Sequence, residues 1–461
     1  MSDQETDTYF FPNNDERDIE KFVGIEAFAT SKIGGIGGEY KKYFKDFIVK
    51  EIGNNGKILN IKEDYKIPPF SEELKDKYTT FNMVKVNYDT FEALRKISKA
   101  LKIPYKFFSY SGLKDKNSIS VQKVSIKGNY VDQLKKLKIN DIFIRNIHPT
   151  RKPVKLGSHI GNNFTIILRN VISSKNLKTT VQNYIKFLNE YGFPNYFGLQ
   201  RFGSFRPNSH IVGRCILEGR YQEAFEELVS TTYSTESLDS KIVRGEFRKT
   251  GNLEKAYNDF PKKLKYERNM ISYLINNPGD YEGSIRTLPS DLIKLLISAF
   301  QAYIFNKMLS KRVEKGLPLF KPIKGDVISI LDDYNGNITP VKYVYGASYD
   351  RYLKKALNLK HAVIILPIIG SNTNLDEFPL MKLIFNEITM QIKIDRNIFN
   401  NHLTFEPEYK GSFRAMTVRA ISLKMLEFTN DNLNPGRLKI KIEFSLRKGS
   451  YATMLIREII K

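Results

Sequence analysis

Residues 111–122 read Ser111-Gly112-Leu113-Lys114-Asp115-Lys116-Asn117-Ser118-Ile119-Ser120-Val121-Gln122. The second half continues to Ile126 with the β-branched side chains of a strand, which can hold the preceding loop rigidly. In that loop one carboxylate, Asp115, lies between two ammonium groups, Lys114 and Lys116, whose charges favour its ionised form. An ionised carboxylate can act as a nucleophile or base. A Lys-Asp-Lys turn is also an ordinary solvated loop, and composition alone favours that second interpretation.

The residues before this loop predict strands and one capped helix. The second half of 41–52 alternates apolar and charged side chains, and Phe81–Val86 forms another strand pattern. Asp89 with Glu92 three residues later is a capping box, which begins a helix that Pro104 ends. At the start of the loop itself, Gly112 is expected to adopt a backbone conformation that residues with a Cβ avoid.

The residues after the loop continue the mixed pattern. A basic loop over 151–164 enters the strand Phe164–Leu168, and Ser173 or Ser174 is expected to cap a helix that ends at Gly192. From 211 to 413 helical patterns dominate at first, and a hairpin follows near 327–345. Leu438–Leu446 alternates strictly, so it predicts a strand that joins an existing sheet, followed by a short helix.

The charge balance indicates a polyanionic partner. The 461 residues contain 73 Lys and Arg against 50 Asp and Glu, which gives a net charge of +23, and they include 26 Tyr and 31 Phe. Cationic and aromatic side chains together are typical of proteins that bind RNA with unstacked bases. The alternatives are a lysine-rich proteome or general solubility, while no basic amphipathic helix favours an anionic membrane.

Length, cysteine content and histidine spacing limit the class of protein. A chain of 461 residues predicts two or three domains. The single cysteine, Cys215, excludes an internal disulfide and any multi-cysteine metal site, so a cytoplasmic protein is expected. The five histidines lack metal-ligand spacing. The acidic start of the chain is expected to be a flexible tail over residues 1–20, because it has little periodicity.

Four motifs in fixed order give the sequence a family resemblance. They are Gly-x-Lys-Asp-Lys at 112–116 with Gln122 seven residues after Asp115, Gly-Asn-x-Phe at 161–164, Asn-Tyr-Phe-Gly-x-Gln-Arg-Phe-Gly at 195–203, and Gly-Ser-Tyr-Ala-Thr at 449–453 followed by Arg457-Glu458. Together they closely resemble the tRNA pseudouridine synthase D (TruD) family, and the likeness runs from about Lys32 to Lys461. Two departures are visible: the family commonly has Pro-Glu-Asp-Phe where this chain has Phe44-Lys45-Asp46-Phe47, and often has phenylalanine at the position of Tyr451.

The resemblance implies roles for individual residues. Asp115 would be the catalytic nucleophile and Lys41 its basic partner, while the side chains that would hold a flipped-out uracil are Phe47, Asn162, Phe164 and Tyr451. The side chains expected to contact RNA are Lys114, Lys116, Gln200 and Arg201. From pattern alone, the aromatic segment 194–203 is better explained by a packed turn than by an RNA-facing loop.

The resemblance also implies the architecture and the reaction. The expected fold is mixed α/β, with a catalytic pseudouridine synthase domain over 21–210 plus 414–461 and a large second domain inserted at 211–413. The expected reaction is the isomerisation of a specific uridine in tRNA, nominally position 13 in the D arm. It breaks the C1′–N1 bond and rejoins the base through C5, and requires no metal or other cofactor. Whether Asp115 would meet C1′ or C2′ first remains open.

Two other classes of function remain as alternatives. A non-catalytic RNA-binding or tRNA-folding protein on the same scaffold would bind RNA with strong salt dependence but form no pseudouridine. An RNA methyltransferase or nuclease is disfavoured, because the sequence has no convincing glycine fingerprint for a methyl-donor nucleotide and no metal-ligand spacing. The expected partner is tRNA or another structured RNA, and no membrane or protein partner is implied.

Overall fold

The computed structural model describes residues 16–62, 69–71, 73, 76–203, 205–332, 336–346, 348–395, 397–400 and 409–461. These residues pack into two compact units. The sheet unit comprises Thr30–Phe193 with Val418–Lys461, and the helical unit comprises the described residues up to Ala29 with Pro194–Thr417.

The helices and strands are numbered in chain order. The helices are α1 Glu16–Phe22, α2 Thr90–Leu101, α3 Val131–Lys136, α4 Leu177–Glu190, α5 Ser209–Leu217, α6 Tyr221–Val229, α7 Leu238–Thr250, α8 Leu253–Asp259, α9 Lys265–Asn276, α10 Tyr281–Arg286, α11 Ser290–Glu314, α12 Asp350–Asn358, α13 Pro379–Gln391 and α14 Ala452–Ile460. The strands are β1 Phe47–Ile52, β2 Tyr78–Val86, β3 Phe108–Tyr110, β4 Ile119–Lys127, β5 Ile142–Thr150, β6 Gly161–Val171, β7 Phe193–Pro194, β8 Val327–Leu331, β9 Ile338–Val344, β10 Ala362–Ile368, β11 Ser412–Ala415, β12 Thr417–Val418, β13 Ile421–Asn430 and β14 Leu438–Arg447.

An eight-stranded mixed sheet organises the sheet unit. Its strand order is β13-β14-β6-β1-β4-β2-β5, and β3 pairs with β4. Among the strands that the structure describes in this sheet, β1 and β4 alone run parallel, with Ile48 opposite Ile119; the other neighbouring strands are antiparallel. The C-terminal strand predicted from strict alternation is β14, and it joins the sheet beside β6 as expected.

Helix α2 closes one face of this sheet. Its buried Leu94 and Ile97 pack in a cluster with Phe81 and Met83 of β2 and Val124 of β4, and burying each of these side chains contributes about 1.5–3 kcal/mol. The predicted capping box is confirmed: the Glu92 amide donates to the Asp89 carboxylate at 2.8 Å, and the Asp89 amide donates to the Glu92 carboxylate at 3.2 Å.

The helical unit contains α5–α11 and a four-stranded sheet with the order β11-β10-β8-β9. The hairpin predicted near 327–345 is confirmed as β8 paired with β9, although its turn at 333–335 lies outside the described residues. In the part of the chain that the structure describes, α11 alone has the length and composition of a membrane span, and 72% of its apolar window is buried inside the protein. Such burial is typical of the core helix of a folded domain.

The structure corrects two local predictions. Residues 1–15 of the predicted flexible tail lie outside the described residues, but Glu16–Phe22 form α1, in which Ile19 is 8% exposed. Neither Ser173 nor Ser174 caps α4; Asn176 precedes it without a side-chain cap.

The boundaries of the compact units, at 29, 193 and 417, differ from the predicted 210 and 413. The assignment of catalysis to residues 21–210 plus 414–461 remains a prediction.

Candidate active site

Two loops meet where the parallel strands β1 and β4 begin. Parallel neighbours start at the same edge of a sheet, so the turn before β1 and the loop before β4 lie side by side. Here the Lys41 ammonium contacts the Asp115 carboxylate at 2.9 Å, and the two side chains are 21% and 32% exposed. The sequence therefore brings together the two residues predicted to be catalytic, in a position that a substrate can reach.

Lys41 has a strained backbone. Its φ of 58° lies in the left-handed region, which costs a residue with a Cβ roughly 1–2 kcal/mol. Its ammonium also lies 4.2 Å from the ring centre of Phe47, an arrangement that attracts a cation electrostatically. Strain of this kind persists where the surrounding contacts fix the conformation, and it is concentrated at functional sites.

Buried polar side chains fix the backbone of the Asp115 loop. Gln122 donates to the Gly112 carbonyl at 3.0 Å and accepts from the Thr90 hydroxyl at 2.9 Å. The same hydroxyl accepts from the Lys114 amide at 3.0 Å. The Asp115 carbonyl accepts from the Lys85 ammonium at 2.7 Å. Because each bond ends on a fully or largely buried side chain, the carboxylate is held in place before any substrate binds.

The structure corrects the RNA contact predicted for Lys114. Its ammonium lies 2.9 Å from the Glu51 carboxylate, and these side chains are 3% and 1% exposed. Glu51 also accepts from the Ser111 hydroxyl at 2.6 Å. The buried ion pair between Lys114 and Glu51 therefore anchors the loop to strand β1. Lys116, in contrast, is exposed and lies 2.8 Å from the Glu92 carboxylate, and its contact with RNA remains a prediction.

Gly112 is required for a different reason from the one expected. Its φ does not lie in the left-handed region, but a Cβ added there would lie 3.0 Å from Cε1 of His159. The glycine thus lets the loop pass close to an imidazole. Burial and the neighbouring Lys114 ammonium lower the pKa of His159, which favours the neutral ring at physiological pH.

Lys85 is a buried ammonium that the sequence analysis did not identify. It is 0% exposed, and its Nζ donates to the carbonyl oxygens of Tyr88 and Asp115 at 2.6 and 2.7 Å. Burial lowers its pKa to about 8, while the charge of Asp115 opposes that shift. A second cation therefore acts on Asp115 beside Lys41 and favours its ionised form.

The predicted aromatic residues form a buried stack. The ring of Phe164 lies 6.0 Å from Phe47, edge to face, and 5.4 Å from Phe444, stacked. Phe47 is 2% exposed, and its ring centre lies 4.2 Å from the Lys41 ammonium, which it supports; its contact with a base remains a prediction. Phe164 is 7% exposed, and its role in holding a base remains a prediction.

Asn162 has the feature expected of a residue that reads a base edge. It lies opposite Glu51 on β1, and its Oδ1 is buried without a hydrogen-bond partner among the residues that the structure describes. An unpaired buried carbonyl costs about 1–3 kcal/mol, which a ligand N–H could recover. Tyr451 is half-buried just before α14; it follows β14, whose Arg447 pairs with Gly161 next to Asn162.

Gln200 and Arg201 belong to the helical unit. They lie on the 3₁₀ turn Leu199–Arg201, where Gln200 is exposed and Arg201 half-buried. In the surrounding aromatic segment Tyr196 and Phe202 are 1% and 0% exposed, so the segment is a packed turn. The contacts of Gln200 and Arg201 with RNA remain predictions.

Comparisons with known proteins show the family of the chain. A sequence model of the family described as tRNA pseudouridine synthase D (TruD) matches residues 22–459. The chain belongs to this family. The four sequence motifs predicted this family correctly. Membership makes the protein an isomerase of the tRNA pseudouridine synthase class, as the resemblance implied.

Individual TruD relatives extend the match. A "Probable tRNA pseudouridine synthase D" from Methanosarcina barkeri is 32% identical over 96% of this chain and 98% of its own length. One from Thermococcus sibiricus is 31% identical over 92% of this chain and 99% of its own. The crystal structure of a protein assigned as TruD from Methanosarcina mazei has a TM-score of 0.78 at 31% identity, over 96% of this chain and 98% of that one. The mixed α/β fold predicted from the sequence is thereby confirmed.

Proposed function

We propose that the protein converts one uridine of tRNA, position 13 in the D arm, to pseudouridine with Asp115 as the nucleophile and the base flipped out of its stack. The observation that supports this most directly is the accessible pair of Lys41 and Asp115, 2.9 Å apart, on a loop fixed by buried hydrogen bonds. Family membership supports the reaction class.

The carboxylate has two routes to the product. In the first, Asp115 attacks C1′, the C1′–N1 electron pair leaves with the uracil, and a glycosyl ester forms. In the second, Asp115 removes the proton from C2′ as the same bond breaks. In the first route C5 then attacks C1′ and displaces Asp115, which breaks the ester bond; in the second route C5 bonds to C1′ while Asp115 returns the proton to C2′. In both routes C5 then loses its proton and N1 gains one, so no electrons are gained or lost overall. Both routes need an ionised carboxylate, which the ammonium groups of Lys41 and Lys85 favour.

The free uracil must be retained while it turns. Extruding a stacked base costs on the order of a few kcal/mol, and stacking on Phe164 or Tyr451 would return roughly 1–3 kcal/mol. The buried Oδ1 of Asn162 would accept from an N–H of the uracil, which would satisfy an atom that otherwise lacks a partner among the described residues. These contacts would keep the base beside the sugar during the turn.

The charge of the protein suits a tRNA partner. With a net charge of +23, binding would release counterions and weaken steeply as salt rises. Lys116, Gln200 and Arg201 would contact the RNA, and lysines of the segment 211–413 would contact phosphates without reading sequence. We place the reaction in the cytoplasm, where a chain with a single cysteine needs no disulfide.

Mapping pseudouridine in tRNA tests this function. The purified protein is incubated with unmodified tRNA, and pseudouridine is located by chemical modification and primer extension. Conversion at position 13 is the expected result. Conversion at another uridine would overturn the site, and binding without any conversion would indicate the non-catalytic RNA-binding alternative.

Replacing Lys41 by methionine should lower the single-turnover rate by about 10- to 150-fold, because a hydrogen bond to a charged group contributes about 1.5–3 kcal/mol. The matched control is Lys135→Met, which removes an ammonium on α3 that is 43% exposed and pairs with Asp132. That control should keep its rate within about two-fold. Equal losses in the two variants would contradict a specific role for Lys41.

The rate should fall as the pH rises above about 8. The Lys85 ammonium, whose pKa burial lowers to about 8, is charged below that pH and neutral above it, so its charge-assisted hydrogen bonds to the carbonyl oxygens of Tyr88 and Asp115, which hold the loop, weaken above pH 8. Single-turnover rates between pH 6.5 and 9.5 should show this descending limb in the wild type. Lys85→Met should be slower and lack the limb; a limb that persists in this variant would belong to another group.

A further inference from the structure

The turn before β1 carries two exposed aromatic rings beside the catalytic pair. Tyr43 and Phe44 are 45% and 40% exposed, and they follow Lys41 by two and three residues. Large aromatic side chains that stabilise a fold are usually buried, as Phe47 is at the end of the same turn. Both rings are therefore available to a ligand.

A buried ion network holds this turn rigid. The Asp46 carboxylate, 0% exposed, accepts from Nη2 and Nε of Arg169 at 2.8 Å each and from the Tyr43 amide at 3.1 Å. Arg169 donates in turn to Asp431 at 2.7 Å. The rings are thus presented from a fixed backbone, which reduces the entropy that a ligand must pay to order them.

The charges around the rings indicate what the ligand is. Lys41 and Lys42 precede the rings and Lys45 follows them, and the Lys45 ammonium lies 5.9 Å from the ring centre of Tyr43. Cations interleaved with exposed aromatic rings are typical of surfaces that track a nucleic-acid strand and stack its bases. An apolar protein segment would gain nothing from the three ammonium groups.

We propose that Tyr43 and Phe44 form a stacking platform for the nucleotide adjacent to the flipped uridine, whose phosphate Lys45 contacts. The inference rests on the proposed function, because flipping a uridine removes one stacking partner from each neighbouring base. A platform within three residues of Lys41 is placed to replace that partner. It would fix the register of the RNA strand and thus the choice of uridine.

A double-mutant cycle between protein and RNA tests the platform. The protein variants are Tyr43→Ala, Phe44→Ala and the double replacement, and the RNA carries an abasic residue on either side of the target uridine. Stacking of roughly 1–3 kcal/mol per base corresponds to a rise in KM of about 5- to 150-fold. We expect that rise in KM when wild-type protein acts on RNA with one abasic flank, and also when the double variant acts on intact RNA. When the double variant acts on the abasic RNA, KM should rise no further. The kcat should change by less than about three-fold.

Controls separate stacking from folding. Phe143, 46% exposed on β5 at the edge of the sheet, is a matched aromatic, and Phe143→Ala should leave KM unchanged. Tyr43→Phe with Phe44→Tyr keeps both rings and should restore wild-type KM. Quenching of 2-aminopurine placed at the flanking position should occur with wild-type protein and disappear with the double alanine variant.

Each outcome decides between the two proposals. Wild-type protein that forms pseudouridine, combined with additive losses from the abasic flank and the double variant, would overturn the platform alone. Persistent quenching in the double alanine variant would do the same. Wild-type protein that forms no pseudouridine in any tRNA would overturn the proposed function and the platform with it.

Discussion

Replacing Asp115 by asparagine should lower the rate of pseudouridine formation by about 10⁴-fold or more, because removal of a nucleophile typically costs that much or more. The amide has nearly the same shape but cannot attack C1′ or accept the C2′ proton. The main-chain bonds that fix the loop, from Lys85 and Ser118 to the Asp115 carbonyl, do not involve the replaced group. Affinity for tRNA should therefore stay within a few-fold.

The measurement is single-turnover conversion of unmodified tRNA, paired with a filter-binding titration at fixed salt. Asp132→Asn is the matched control, since its side chain is 80% exposed on α3 and pairs only with Lys135 in the described contacts; it should keep the full rate. An Asp115→Asn protein that still converts uridine at the wild-type rate would remove Asp115 from the mechanism. Loss of binding and turnover together would instead indicate a disturbed loop.

Periodicity along the sequence was sufficient to predict the regular elements. The capping box of Asp89 and Glu92, the long apolar pattern of α11 and the strict alternation of β14 each depend on neighbours a few residues apart. Such patterns are visible in the sequence because they depend only on residues that are close together along the chain. The motif order likewise located Lys41 and Asp115, which the parallel pairing of β1 and β4 then brings into contact.

The polar network under the site could not be predicted in the same way. Glu51 meets a lysine 63 residues later, and Arg169 meets Asp46 and Asp431 from 123 and 262 residues away. No local period connects such partners. Glu51 did carry a weak signal, because a carboxylate in a strand buried at neighbouring positions needs a partner.

Lys114 and Lys116 show where composition misleads. Both flank Asp115 and look equivalent in the sequence, yet one is 3% exposed and the other 53%. The difference arises because the loop lies against the sheet, so one ammonium is directed to Glu51 and the other to solvent. Charge alone predicts that both lysines contact RNA, whereas in the structure Lys114 is buried and Lys116 is exposed; the RNA contact of Lys116 remains a prediction.

The difference in burial between Lys114 and Lys116 predicts a large difference in stability between variants at the two positions. Lys114→Met should lower the free energy of unfolding by about 3–5 kcal/mol, because it leaves the Glu51 carboxylate buried without its cation. Lys116→Met removes an equally short ion pair, 2.8 Å against 2.9 Å, from the same loop. Since that pair is exposed and screened by solvent, its loss should leave the urea midpoint nearly unchanged. Urea-induced unfolding measured by circular dichroism compares the two variants directly.

Adding Glu51→Met to Lys114→Met should restore most of the lost stability, because an apolar pair of similar volume often replaces a buried ion pair at no net cost. The turnover rate should nevertheless stay low, since the Ser111 hydroxyl loses its acceptor and the Lys114 ammonium no longer anchors the loop beside Asp115. Recovery of stability without recovery of rate would show that the pair is retained to position the nucleophile. If Lys114→Met and Lys116→Met instead unfold at the same urea concentration, the Glu51 pair is not buried in solution and the loop is held by other contacts.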